Sequence, residues 1–230
     1  MKIAVIGAGA MGSILARKLA ALGHQISIAN SRGPGSLGAF AAEIGARPAL
    51  VVEAARAGDV VFLALPTKAV VDLPRGLFAN AAEGAVVVDL GNYHPELRDG
   101  RIAAIDQGLL DSQWVAQRIG RPVLKAFNSI LATSLASKGA ARGTPGRIAL
   151  PVAGDSSAAK ATVLGLVDDL GFDPLDAGGL DESWRQQPGT PAYCRDLDGV
   201  ALRRALAAAD RSRIAEYRAE REASLRQATA

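Results

Sequence analysis

Short apolar runs alternate with helix-length segments along the first half of the chain. Residues 2–6 read as a buried strand, and 11–22 as a helix with Leu15, Leu19 and Leu22 on one stripe. A second strand is expected at 25–29, a short helix at 39–44 and an edge strand near 47–50. Residues 60–65 form a strongly apolar strand, opened by Asp59 and closed by Pro66. Helical spacing follows over 69–82, interrupted by Pro74. The next strand covers 86–88 with Asp89 at its end. Residues 91–113 read as loop, 114–119 as helix and 122–126 as strand. Beyond a turn cluster at 142–146, a strand is expected at 148–153. A helix capped within 155–157 then runs to 170, and a short strand begins at 171–172. Residues 182–191 look irregular. From Leu202 onward the pattern is one charged helix, with Glu222 and Arg226 at i,i+4 spacing and a face read as solvated or as part of a dimer contact.

Continuous apolar strands separated by helix-length segments imply a parallel sheet covered on both faces. The expected fold class is therefore α/β: a Rossmann-type, doubly wound, mostly parallel sheet with a small C-terminal α/β and helical portion. Residues 1–145 would bind the nucleotide, and 146–230 would supply the substrate side and a dimer contact. No linker is clear enough to mark two independent domains.

Composition narrows the chemistry. Apolar residues are 49% and charged ones 21%, values that argue against collagen, disorder and coiled coil. One cysteine (Cys194) and two histidines (His24, His94) argue against a disulfide framework and a His/Cys zinc site, so no metal is expected. A net charge of +3 with 4% aromatic residues is far from a nucleic-acid footprint. No apolar run reaches the ~20 residues of a membrane span. The first strand leads straight into a Gly-rich turn rather than a signal peptide, so a cytoplasmic protein is expected.

That turn is Gly7-Ala8-Gly9-Ala10-Met11-Gly12, a G-x-G-x-x-G placed after a strand and opening a helix. Gly7 would permit the tight turn, Gly9 the approach of a pyrophosphate, and Gly12 close helix–strand packing. The plain alternative is a strand–turn–helix without a ligand. NAD-selective sites place Asp or Glu at the end of the second strand, to hold the ribose 2′-hydroxyl. Here that strand ends Ala29-Asn30-Ser31-Arg32, and the first acidic residue of the chain is Glu43. A hydroxyl and a guanidinium suit a 2′-phosphate, so NADP(H) is the expected coenzyme. Arg32 could otherwise be an ordinary solvated cation.

Ligands gather at the carboxyl ends of strands in such sheets. Leu65-Pro66-Thr67, Leu90-Gly91-Asn92 and Lys125-Ala126-Phe127-Asn128 occupy those ends. Ala126 is small enough to admit a flat ring, and Asn128 could hydrogen-bond an amide, so these two are candidate positioning residues. Phe127 reads as core, and Lys125 as either an ion-pair partner or a site residue. His94 is a possible proton donor in a loop. His24 reads as a helix-end residue and Cys194 as a bystander.

Taken with Asn30-Ser31-Arg32-Gly33-Pro34, the glycine fingerprint, Phe62-Leu63-Ala64-Leu65-Pro66, Lys125-Ala126-Phe127-Asn128 and Pro151-Val152-Ala153-Gly154-Asp155 resemble the NADPH-dependent coenzyme F420 reductases (F420H2:NADP oxidoreductases) from Met1 to about Gly178. Residues 182–189 resemble a bacterial branch of that group. The resemblance implies hydride transfer between nicotinamide and a stacked 5-deazaflavin, coenzyme F420, with positioning carrying most of the catalysis. It implies that Gly9 to Gly12 hold the pyrophosphate and Ser31 and Arg32 the 2′-phosphate. Leu65, Pro66, Leu90 and Asn128 would frame the nicotinamide. The loop 92–113 and the region around Trp184 depart from the archaeal pattern. Three readings therefore compete: F420 reduction, reduction of a flavin or ferric chelate, and NADPH sensing without catalysis. A homodimer and a small-molecule hydride acceptor are the expected partners.

Overall fold

The computed structural model describes residues 1–229, with side chains through Gln227. β1 (Lys2–Ile6), β2 (Gln25–Ala29), β3 (Arg47–Pro48), β4 (Val60–Leu63), β5 (Val86–Asp89) and β6 (Leu124–Lys125) form one sheet in the order β3-β2-β1-β4-β5-β6. Every pairing within it is parallel. The order reverses between β1 and β4, and the Gly-rich turn leaves β1 at that point. This is the Rossmann-like α/β fold, with helices on both faces.

One face of the sheet packs on α1 (Ala10–Ala21) through Leu15 and Leu19. The other packs on α3 (Val51–Ala57) through Ala54 and Ala55, with α2 (Gly38–Ile44) preceding it in the chain. Burial of both faces explains why the strands carry no polar alternation.

β7 (Ala149–Val152) and β8 (Asp173–Asp176) form a second, two-stranded parallel sheet around α7 (Ser157–Asp169). It is stitched to β6 by an antiparallel bridge, Lys125 N–H to Ala153 O at 2.8 Å and Ala153 N–H to Lys125 O at 3.0 Å. Leu150, Val152, Val163 and Leu166 join the same apolar cluster as Leu15 and Leu19. As expected, Ser156 caps α7, accepting from the Ala159 N–H at 3.2 Å.

Several elements differ from the pattern. α3 and α6 (Ala132–Ser137) were not expected; seven and six residues are too short for a helical period to show. The helix expected over 69–82 is instead a 3-10 turn, Thr67–Asp72, followed by irregular backbone. Leu73 precedes Pro74 and is extended (ψ 139°), as the proline ring requires. Carbonyls that a helix would have satisfied are taken by arginines: Arg118 binds Val71 O at 2.8 Å, and Arg121 binds Ala82 O and Glu83 O at 2.6 and 2.7 Å.

The expected loop 91–113 contains a π-helical turn (Pro95–Asp99), α4 (Ala103–Asp106) and the start of α5 (Asp111–Ile119). The single C-terminal helix is two, α8 (Gly199–Ala207) and α9 (Ile214–Thr229). Asp210 breaks the run between them by accepting from the Ser212 N–H at 2.9 Å. No helix among the described residues is long and apolar enough to cross a membrane.

Candidate active site

The turn after β1 is built as the sequence argues. Gly7 has φ +109°, and a Cβ there would lie 2.2 Å from Ala64 O; one at Gly12 would lie 1.9 Å from Gly7 O. At Gly9 a Cβ would meet nothing within 4 Å, so this glycine faces open space rather than protein. Gly9 is the N-cap of α1, whose first turn has no side-chain cap and no acidic residue. That leaves an electropositive helix end suited to a phosphate. Ala8 and Gly9 open onto a cleft of about 720 Å³, also lined by Asn30, Ser31, Arg32 and Gly33. Ala10, Met11 and Gly12 lie behind this rim, at the start of α1.

Asn30 replaces the carboxylate of NAD sites and shapes the loop. Its Oδ1 accepts the Arg32 N–H at 3.0 Å, and its Nδ2 donates to Ser36 Oγ at 2.9 Å. Ser36 in turn donates to Gly33 O at 2.8 Å. Ser31 and Arg32 are left exposed at the cleft edge. Arg32's guanidinium has no ion pair among the described residues. These residues therefore fit a phosphorylated adenosine ribose: a hydroxyl, an unpaired guanidinium and no facing carboxylate on that loop. Leu65 and Pro66 line the opposite wall with Asp72, while Leu50, Val51 and Val52 close one side. The last four went unnoticed in the sequence; α3, which presents Val51 and Val52, is too short to register as a helix.

The expected nicotinamide end is assembled differently. Leu90 and Ala126 are buried in the apolar cluster and do not line the cleft. Thr67 is buried at the start of its 3-10 turn. Gly91 was expected to admit a ligand. In the structure its N–H donates to Asp89 Oδ1 at 2.8 Å, and a Cβ would lie 2.9 Å from that same oxygen, so the glycine serves the turn itself. Lys125, fully buried, donates to Asp89 Oδ2 at 2.9 Å and to Gly91 O at 2.5 Å, while Ser112 Oγ donates to Asp89 Oδ2 at 2.7 Å. Lys125 is thus an ion-pair partner that fixes the end of β5.

Asn128 is not free for an amide ligand as expected. Its Nδ2 donates to Asn92 Oδ1 at 3.1 Å and to Gln186 O at 2.7 Å, and its Oδ1 accepts from Gln186 Nε2 at 2.9 Å. Asn92 completes the link by donating from its Nδ2 to Asn128 O at 3.0 Å. These amides tie the ends of β5 and β6 to the segment around Trp184, which sequence reasoning had left unassigned. Phe127 is core as expected, edge-on to Phe62 at 5.8 Å, but holds φ +59°, a left-handed conformation uncommon for an aromatic residue.

The C-terminal helix, expected to present a solvated face or a dimer contact, instead closes over this end with one face. Arg218 lies 4.7 Å above the Tyr93 ring and 3.5 Å from Asp111, whose burial pushes its carboxyl up. Glu222 is buried, accepts from the Glu96 N–H at 3.1 Å, and lies 3.9 Å from His94 Nδ1. Burial and the neighbouring Arg98 hold His94 down at about 4, against the pull of Asp99, so the ring is neutral near pH 7 and not a ready proton donor. Burial likewise pushes the Cys194 thiol up, which keeps it unreactive. No group of three or more His, Cys, Asp or Glu placed to hold a metal occurs among the described residues.

Comparison with known proteins locates this arrangement. Residues 2–93 match the family model described as NADP oxidoreductase, coenzyme F420-dependent. The crystal structure of protein SMa0349 from Sinorhizobium meliloti superposes with a TM-score of 0.71 at 34% identity, covering 86% of this chain and 95% of that one. A structure from Arthrobacter sp. FB24, provisionally assigned as an F420-dependent NADP reductase, superposes at 0.62 with 24% identity over 80% and 87% of the two chains; at that identity it speaks for the fold alone. Among curated proteins, YjhV of Escherichia coli K12 is 51% identical over 63 residues, 27% of this chain. The matched region spans 46% of that relative's length.

Proposed function

This chain belongs to the coenzyme F420-dependent NADP oxidoreductase family, and from that premise we propose that it transfers hydride between NADP(H) and a stacked planar acceptor, the deazaflavin coenzyme F420. The observation that carries the coenzyme choice is the end of β2, where Ser31 and an unpaired Arg32 edge the cleft and no carboxylate stands. Gly9 and the uncapped start of α1 receive the pyrophosphate, and Asn30 holds the loop that presents Ser31 and Arg32. Leu65 and Pro66 form the apolar wall leading toward the nicotinamide end. Bound there, the dihydronicotinamide supplies a hydride, one proton with two electrons, to an acceptor ring laid against it.

The protein's own contribution is positioning and exclusion of water. The Asp89–Lys125 pair fixes the end of β5, and the Asn92–Asn128–Gln186 amides fix the opposite wall. Such a reaction demands no nucleophile and no metal. Neutral His94 and the unreactive Cys194 are consistent with that economy.

The test has two parts. Calorimetric titration should rank NADPH above NADH. Arg32→Ala should weaken NADPH by roughly 10- to 100-fold, the worth of a charged hydrogen bond, with little change for NADH. Equal losses for both would refute the 2′-phosphate assignment. NADPH oxidation is then followed with F420, FMN and ferric citrate in turn. Turnover with F420 supports the reading; turnover only with FMN or ferric citrate replaces the acceptor. Tight NADPH binding without turnover of any of them would make this a coenzyme-sensing protein.

A further inference from the structure

Among the described residues, the buried side-chain nitrogens and oxygens that lack a hydrogen-bond partner fall in one neighbourhood. They are Ser183 Oγ, Gln186 Oε1 and both amide atoms of Gln187, together with His94 Nδ1, Arg218 Nε and Arg221 Nε. The two sets meet where α9 packs on the segment after Gln187. A Cβ on Gly189 would lie 1.9 Å from Tyr217 O, and Arg221 lies 5.6 Å from the Tyr193 ring. Buried polar groups are nearly always paired, so a cluster of exceptions calls for a cause.

Gln187 is the clearest of them. Only 2% exposed, it has neither its donor nor its acceptor matched. Its backbone, by contrast, is pinned: its N–H donates to Trp184 O at 3.2 Å, and its carbonyl accepts from the Thr190 N–H at 3.2 Å and from Thr190 Oγ1 at 2.8 Å. The preceding Gln186 is tied to the end of β6 through Lys125 O and Asn128. A spare primary amide is thus held on a fixed support, one residue from the Gln186 side chain that ties this segment to the carboxyl end of β6.

Resting on the function proposed above, we propose that Gln187 recognises the hydride acceptor by pairing its amide with a ring edge that carries a carbonyl and an N–H side by side. A primary amide presents a donor and an acceptor in parallel, the complement of a lactam or imide. The pyrimidinedione ring of flavins and deazaflavins has that edge; ferric chelates do not. Gln187 is covered in this structure, so the edge reaches it when α9 moves outward. α9 is held largely through polar contacts, Arg218 on Asp111 and Glu222 on the Glu96 N–H, beside the packing of Tyr217 on Gly189.

The test compares wild type with Gln187→Met, an apolar side chain of similar length. Melting temperature, NADPH affinity and fluorescence titration of the NADP+-loaded protein with lumiflavin and with 3-methyllumiflavin are measured. The methyl group blocks the ring N–H that Gln187 would read. Expected are a melting temperature equal to or above wild type, because an unpaired buried amide has been removed, and lumiflavin binding weakened about tenfold or more. 3-Methyllumiflavin should bind the wild type weakly and be indifferent to the substitution. A melting temperature lowered by several degrees would mean that the amide is bonded within the fold, and would overturn the assignment. Equal binding of both flavins by the wild type, or binding of neither, would overturn it too while leaving the coenzyme reading intact. Failure to bind NADPH would instead strike the underlying function.

Discussion

Two glycines in the β1–α1 turn separate fold from ligand binding. Gly12 touches Gly7 O, so Gly12→Ala drives a methyl into backbone and should lower the melting temperature and NADPH affinity together. Gly9 has φ −77° and open space around its missing Cβ. Gly9→Ala should therefore melt close to wild type while losing NADPH affinity, because the methyl would enter the place proposed for the pyrophosphate. Thermal melts beside calorimetric titrations distinguish the two. At the end of β5, Lys125→Met leaves Asp89 buried without its cation, with Ser112 Oγ and the Gly91 N–H as its remaining partners. Loss of one member of a buried pair costs about 3–5 kcal/mol, measurable as a shifted denaturant midpoint. The Lys125→Met, Asp89→Asn double variant should recover part of that loss.

At the scale of elements, α9 is the outlier. Most helices here dock through apolar stripes, whereas α9 puts Arg218 and Glu222 inward. Its partner His94 faces Arg98, Asp99, Arg218, Arg221 and Glu222. Held at about 4 against a reference of 6.5, His94 is neutral in the folded protein at pH values where the unfolded chain already binds a proton. Stability is therefore whole above pH 6.5 and falls as pH drops toward 4, by at most about 1.4 kcal/mol per pH unit. Urea titrations between pH 7 and pH 5 should show this slope in wild type and a flatter line in His94→Gln. An equal slope in both proteins would place the proton uptake elsewhere.

At the scale of the whole molecule, saturating coenzyme should stabilise the fold. NADPH at a hundred times its dissociation constant adds about 2.7 kcal/mol, and equimolar NADH should raise the melting temperature less. The half of the candidate site proposed to recognise it was legible as structure in the sequence because its causes are local. Gly7, Gly9 and Gly12 act within one turn, and Asn30, Ser31 and Arg32 within one loop. The arrangement at the proposed nicotinamide end was not, because its residues are joined only in three dimensions. Gly91 is explained by Asp89, Asn128 by Gln186 and His94 by Glu222, pairings that no spacing along the chain announces. The long strands and α7 were legible from period and caps. The 3-10 turn after β4 was not, because arginines from elsewhere satisfy a backbone whose apolar spacing imitated a helix.

Residues that line the cleft after β1 all lie between Ile6 and Pro74, whereas the amide links and the covering helix at the ends of β5 and β6 draw on segments near 92, 128, 186 and 218. The two halves can consequently drift at different rates under selection. On the proposed assignment, exchanging the distal segments between relatives should retune what is reduced while leaving the electron donor untouched, a division that suits this architecture to repurposing by grafting.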